Sequence, residues 1–178
     1  MSRTFDPKET IPAFDRFLES RKISFTAIAV GGAALSILGI ISRGTGDLDL
    51  LETSIPTDVQ LAAKEFAIAN DISETWLNNG PASLARDLPL GWRNRIQQLY
   101  FGKSLKLWTL SRMDLIRSKF WAMCDRLRDV DDLIALAPSL EEIALAVDWV
   151  KPLDANPNWP AYADKTADIL KARLGYEK

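Results

Sequence analysis

From Ile23 to Ser42 the chain runs without a charge, "ISFTAIAVGGAALSILGIIS", and its character changes midway. β-Branched residues dominate before Gly31-Gly32; small, helix-compatible residues follow. The pattern predicts a strand over Thr26–Val30, a tight turn at the glycines and a helix over Ala33–Ile40. The strand shows no polar alternation, so burial on both faces is expected. The next segment is different: Asp47-Leu48-Asp49-Leu50-Leu51 alternates, which predicts a second strand with both carboxylates on one face. Upstream, Ile11, Phe14, Phe17 and Leu18 recur at helical spacing and predict a first helix over Thr10–Ser20.

A helix over about Pro56–Ala69 follows, then a polar, turn-rich stretch, "NNGPASLARDLPLGWRNR". Two strands come next, "IQQLYF" and "LKLWTL", joined through Gly102-Lys103-Ser104 as a hairpin. From Ser111 onward the periodicity is helical throughout: Arg112–Cys124, Leu127–Leu136, Leu140–Val150 and Tyr162–Leu174. The cluster "KPLDANPNWP" separates the last two. The expected architecture is α/β in the α+β sense. A small mixed sheet occupies residues 1–110, and a helical region, residues 111–178, forms the C-terminal half.

Composition changes this picture by exclusion. A chain of 178 residues with 47% hydrophobic and 26% charged residues buries a sizeable core and has no need of a disulfide framework. Its formal charge of -2 supplies no global basic field for non-specific nucleic-acid binding. The uncharged run is long enough to cross a bilayer. Its serines, threonine and three glycines, and its switch from strand to helix pattern, favour a buried strand-turn-helix, and no membrane association is expected. The N-terminal stretch carries acidic residues and lacks an apolar core behind a basic tip, unlike a signal peptide. With the single cysteine, Cys124, this suits the cytoplasm.

No histidine is present, which removes Ser-His-Asp and Cys-His catalysis and histidine-ligated zinc. Any metal is then held by carboxylates, which suits magnesium or manganese. Two features can act together here. A Gly-Gly turn opens backbone N–H groups at a helix start, where a phosphate approaches unhindered by a Cβ. Asp47 and Asp49, about 7 Å apart at Cα on one strand face, can lean onto a hard cation. Taken alone, the glycines also suit a plain tight turn, and the aspartates the solvated face of an edge strand. Arg43 either meets a triphosphate or pairs with Asp47 or Asp49. Ser36 either lies near phosphates or bonds a backbone carbonyl. Trp92, beside Arg93 and Arg95, either stacks on a base or packs in the core.

The arrangement Val30-Gly31-Gly32, fourteen residues, then Asp47-Leu48-Asp49-Leu50 resembles the nucleotidyltransferase superfamily of the DNA polymerase β type. Gly31, Gly32, Ala34, Leu35, Arg43, Thr45, Asp47 and Asp49 are similar to the pattern of its small bacterial AbiEii-like branch, associated with toxin-antitoxin systems. Downstream, Lys119, Arg126, Asp129 and Asp132 resemble a second patch of that branch. Read separately, Lys119 suits a solvated helix face, and Arg126 and Asp129 an ordinary surface ion pair.

The resemblance implies an enzyme that transfers an NMP from a magnesium- or manganese-bound NTP to a hydroxyl on a protein, RNA or small molecule. Asp47 and Asp49 would be the metal ligands; Gly31, Gly32, Ser36, Arg43 and Thr45 would lie along the nucleotide. Lys119 would neutralise the departing pyrophosphate. One departure stands out. Catalysts of this superfamily bring a third carboxylate from a later strand, and neither "IQQLYF" nor "LKLWTL" contains one; Asp87, in a loop or short helix, is the nearest upstream. The rival expectation is a catalytically weak or inactive protein of the same fold, acting as an antitoxin or complex subunit with a toxin or antitoxin as partner.

Overall fold

A computed structural model describes residues 4–126 and 130–176. It is a mixed α+β structure in two compact units: residues 1–86 with 93–110, and residues 87–92 with 111–178.

The first unit is built on a five-stranded mixed sheet. Helix α1 (Pro7–Ser20) opens at Asp6, whose carboxylate accepts the Lys8 N–H at 2.9 Å, with Pro7 in the first turn where its missing N–H costs nothing. The chain then forms β1 (Phe25–Val30), α2 (Gly31–Ile37), β2 (Leu48–Glu52), α3 (Thr57–Asn70) and the two-residue β3 (Leu77–Asn78). A short α4 (Leu84–Asp87) precedes the hairpin β4 (Gln97–Phe101) and β5 (Leu105–Thr109). The strand order is β3-β2-β1-β5-β4, with β1 antiparallel to β2 and parallel to β5.

One face of this sheet carries the core. Phe25, Ala27 and Ala29 of β1, Leu48 and Leu50 of β2, and Leu105 and Leu107 of β5 meet Ile11, Phe14 and Leu18 of α1 and Val59, Ala63 and Phe66 of α3. Trp76 lies at the centre, with Phe5, Phe14 and Phe66 within 5.0–5.8 Å of its ring and its indole N–H donated to the Ala63 carbonyl. The opposite face is open in part, and this corrects the expectation for β1. Thr26 is exposed and Ile28 half-buried, so on that side only Val30, at the end of the strand, is buried; the alternation was hidden because threonine and isoleucine both favour strands.

Helix α2 also differs from its predicted limits. It begins at Gly31 itself and ends at Ile37, because Gly39 takes a positive φ of 77° and turns the chain away. The hairpin is tied to α1 by Asp15, which is buried and accepts N–H bonds from Lys103, Ser104 and Leu105.

The second unit contains α5 (Arg112–Arg126), α6 (Val130–Leu136), α7 (Leu140–Val150) and α8 (Trp159–Leu174). Helix α7 starts with a capping box: the Glu142 N–H donates to Ser139 Oγ while Glu142 accepts the Ser139 N–H. Arg112 joins this corner through the Glu142 carboxylate. Cys124 is buried, and burial pushes its thiol up to about 11 against the opposing effect of a hydrogen bond with Thr166. The helix predicted over Leu127–Leu136 is described from Val130; its first residues, and Asp129, lie outside the described residues, as does the side chain of Arg126. Among the described residues no helix is long and apolar enough to cross a membrane.

Candidate nucleotide and metal site

The Gly31-Gly32 turn and the Asp47/Asp49 segment come together at one end of β1. Asp49 is paired with Val30 across the β1–β2 ladder, so its side chain rises beside the residue that follows, Gly31. The fit is close: a Cβ placed on Gly31 would lie 2.8 Å from Asp49 Oδ2, and Gly31 has a φ of 76°. The positive φ favours glycine, and any side chain here would displace the Asp49 carboxylate. Around Gly32 the neighbours are Thr45 Oγ1, 3.5 Å from a Cβ position there, and an Arg43 guanidinium nitrogen at 4.0 Å. A carboxylate, a hydroxyl and a cation therefore face two backbone positions that have no side chains.

Asp47 precedes β2 rather than opening it, and it is exposed. Thr45 links it to the turn, its hydroxyl lying 3.3 Å from Asp47 Oδ1 and 3.2 Å from the Asp47 carbonyl. Asp49 is half-buried on the sheet face opposite the core. Ser36 is buried inside α2, five residues beyond Gly31.

This donor set suits a hard divalent ion. Two carboxylates stand one residue apart, one of them held by a hydroxyl and the other close beside the glycine turn. Neutral nitrogen and thiolate ligands, which would select softer metals, play no part.

The family described as nucleotidyltransferase of unknown function (DUF6036) matches residues 11–149, well over half of the chain. The chain belongs to that family. No curated protein and no solved structure matches it. The nucleotidyltransferase match includes the glycine turn, both aspartates and Lys119.

Within this nucleotidyltransferase chain, Lys119 takes an unexpected place. In the second unit its ammonium lies 2.7 Å from Asp132 Oδ2, with Lys119 6% and Asp132 1% exposed. The solvated helix face expected of Lys119 is not observed. The downstream patch thus contributes a buried ion pair.

Trp92 is 2% exposed, so it packs in the interior and offers no face to a base. Among the described residues no group of three or more acidic or cysteine side chains converges as a metal site. Asp87 is exposed, and its carbonyl accepts the Trp149 indole N–H. On β5, Lys106 and Trp108 pair with Thr26 and Ile28 and share the face of Asp49; neither is acidic. A cleft of about 390 Å³ lies between α7 and α8, where Lys151 and Lys171 are paired with Asp164 and Asp168.

Two parts of the site were not legible in the chain. A bulge in β1–β2 makes Glu52, rather than Leu51, the partner of Ile28, which places Glu52 on the same face as Asp49. Its carboxylate receives a two-pronged bond from Arg93. The other part is Phe5, which exchanges backbone bonds with Thr45 at 2.8 and 3.0 Å. "DLDLLE" reads as simple alternation and gives no sign of the bulge, and a single bridge leaves no periodic signal.

Proposed function

We propose that the protein transfers an NMP from a magnesium- or manganese-bound NTP to a hydroxyl acceptor. The observation that carries this reading is the contact of the Asp49 carboxylate with the Gly31 turn, with Arg43 and Thr45 against Gly32. Asp47 and Asp49 would hold the ion. The N–H groups of Gly31 and Gly32, at the start of α2 where a helix has no internal acceptors for them, would face the phosphates. Arg43 would offset phosphate charge. The bound ion would supply charge stabilisation at the phosphoryl oxygens during in-line displacement. In that step the acceptor oxygen bonds to the α-phosphorus, the bond to the bridging oxygen breaks, pyrophosphate departs and the hydroxyl proton passes to water.

Lys119 is proposed for the pyrophosphate only if its bond to Asp132 opens. The likeness of Gly31 to Asp49 to the AbiEii-like pattern supports a place beside a toxin or antitoxin partner. One observation favours a second reading, a binding protein with little or no catalysis: the described residues hold no third converging carboxylate.

Incubation of the purified protein with labelled NTPs, magnesium or manganese and cell extract separates the two. Transfer of label by the wild type and its loss, by about a hundredfold or more, in folded Asp47→Ala and Asp49→Ala variants is the expected result. Nucleotide binding without transfer would favour the second reading; no nucleotide binding at all would remove the enzyme reading.

A further inference from the structure

We infer that Thr45 is a positioning residue that orients Asp47 toward a divalent cation, and that the bridge to Phe5 fixes Thr45 for this purpose. The inference rests on the proposed function, since it assigns Asp47 as a metal ligand.

Asp47 is exposed and lies outside the strand ladder, so its own backbone gives its carboxylate no defined direction. Thr45 supplies one. Its hydroxyl carries a single proton, and the acceptors within reach are Asp47 Oδ1 at 3.3 Å and the Asp47 carbonyl at 3.2 Å. A hydroxyl shared between a carboxylate and the carbonyl of the same residue fixes the χ1 direction of that residue. Thr45 is itself 7% exposed and closely held. Its N–H donates to the Phe5 carbonyl at 3.0 Å, and its carbonyl accepts the Phe5 N–H at 2.8 Å. Phe5 in turn is buried edge-on to Trp76, at 5.5 Å between ring centroids. The strand-like approach of Phe5 also needs Gly44, where a Cβ would meet the Phe5 carbonyl at 3.0 Å.

The chain of contacts therefore runs from the aromatic core through Phe5 and Thr45 to an exposed carboxylate. Groups that orient a metal-bound carboxylate by hydrogen bonding commonly change metal affinity 10–100-fold when removed. Thr45 so assigned donates to a ligand rather than to the nucleotide. Its side chain acts on the geometry of Asp47, and its backbone on the geometry of the loop.

The test uses the full chain without nucleotide and Mn²⁺ as probe, with free Mn²⁺ followed by electron paramagnetic resonance. Thr45→Val keeps the shape and the backbone bonds to Phe5 while deleting the donor. It is expected to weaken Mn²⁺ binding about tenfold, and Thr45→Ser to restore most of it. Thermal unfolding without metal should change little, because the lost bonds end on an exposed group. Should Thr45→Val not fold, Thr45→Ala measured against Thr45→Ser makes the same comparison. Equal Mn²⁺ affinity in the wild type and the hydroxyl-less variant, with binding lost in Asp47→Ala, would overturn the inference and leave the proposed function standing. Absence of Mn²⁺ binding by the wild type would overturn the inference, and the proposed function with it where an added NTP does not restore binding.

Discussion

Replacing Lys119 by alanine is expected to destabilise the protein by about 3–5 kcal/mol, the range for removing one partner of a buried ion pair. The reason is the state of the partner left behind. Asp132 is 1% exposed and its Oδ2 lies 2.7 Å from the Lys119 ammonium. Without that cation its charge stays in a low-dielectric interior, or it takes up a proton. The double variant Lys119→Met, Asp132→Leu should recover most of the loss, because an apolar pair of similar volume requires no desolvation of charge. Urea unfolding of the three variants checks this. If Lys119→Ala kept wild-type stability and lost only nucleotide transfer, the ion pair would be no part of the fold's support and the catalytic assignment of Lys119 would gain.

Asp15 is the second site of large effect. Its carboxylate gathers the N–H groups of Ser104 at 2.9 Å, Leu105 at 2.7 Å and Lys103 at 3.2 Å, and a bond from Tyr100. A Cβ on Gly102 would lie 2.3 Å from the same carboxyl, so the turn and the acid are fitted to one another. Asp15→Ala leaves these donors facing a void and should cost about 3 kcal/mol. Burial pushes the carboxyl up, and the bonds from Leu105, Ser104, Lys103 and Tyr100 outweigh it, leaving the group below its ordinary 3.8. A depressed folded value means that the unfolded chain takes up the proton first as pH falls. The Asp15 contribution is therefore complete above about 3.8 and is lost as pH falls through the lower folded value. The stability difference between wild type and Asp15→Asn should shrink over that interval; a difference that stays constant there would contradict the account.

These two sites also show where reading the chain succeeded and where it did not. The strand before Gly31, the second strand from Leu48 and the hairpin at Gly102 were all visible, because each is a short run of strand-forming residues near a glycine, although Asp47 lies just before its strand. Asp15 was hidden: an acid within an amphipathic helix looks like part of its solvated side, and its partners lie about ninety residues on. Lys119 and Asp132 fall on different helices, and no helical spacing foretells that their side chains meet. The face of β1 was misjudged because Thr26 and Ile28 carry strand propensity whether or not they are covered. At the candidate site the residues proposed as ligands stood out in the chain, and the contacts around them did not. Thr45 stood in the motif, but only coordinates show its hydroxyl on Asp47 and its backbone on Phe5. Register supplies the same lesson at Glu52, whose face is set by a bulge.

Asp49 and the Gly31 turn are proposed to hold together a divalent ion and the phosphates of one nucleotide. Calorimetric titration of an NTP in the presence of Mn²⁺, with wild type and Asp49→Asn compared at equal thermal stability, tests it most directly. The account predicts saturable, metal-dependent binding by the wild type and at least a tenfold loss in Asp49→Asn, as expected on removing a charged metal ligand. Binding that needs no metal, or that is the same in both proteins, would contradict it.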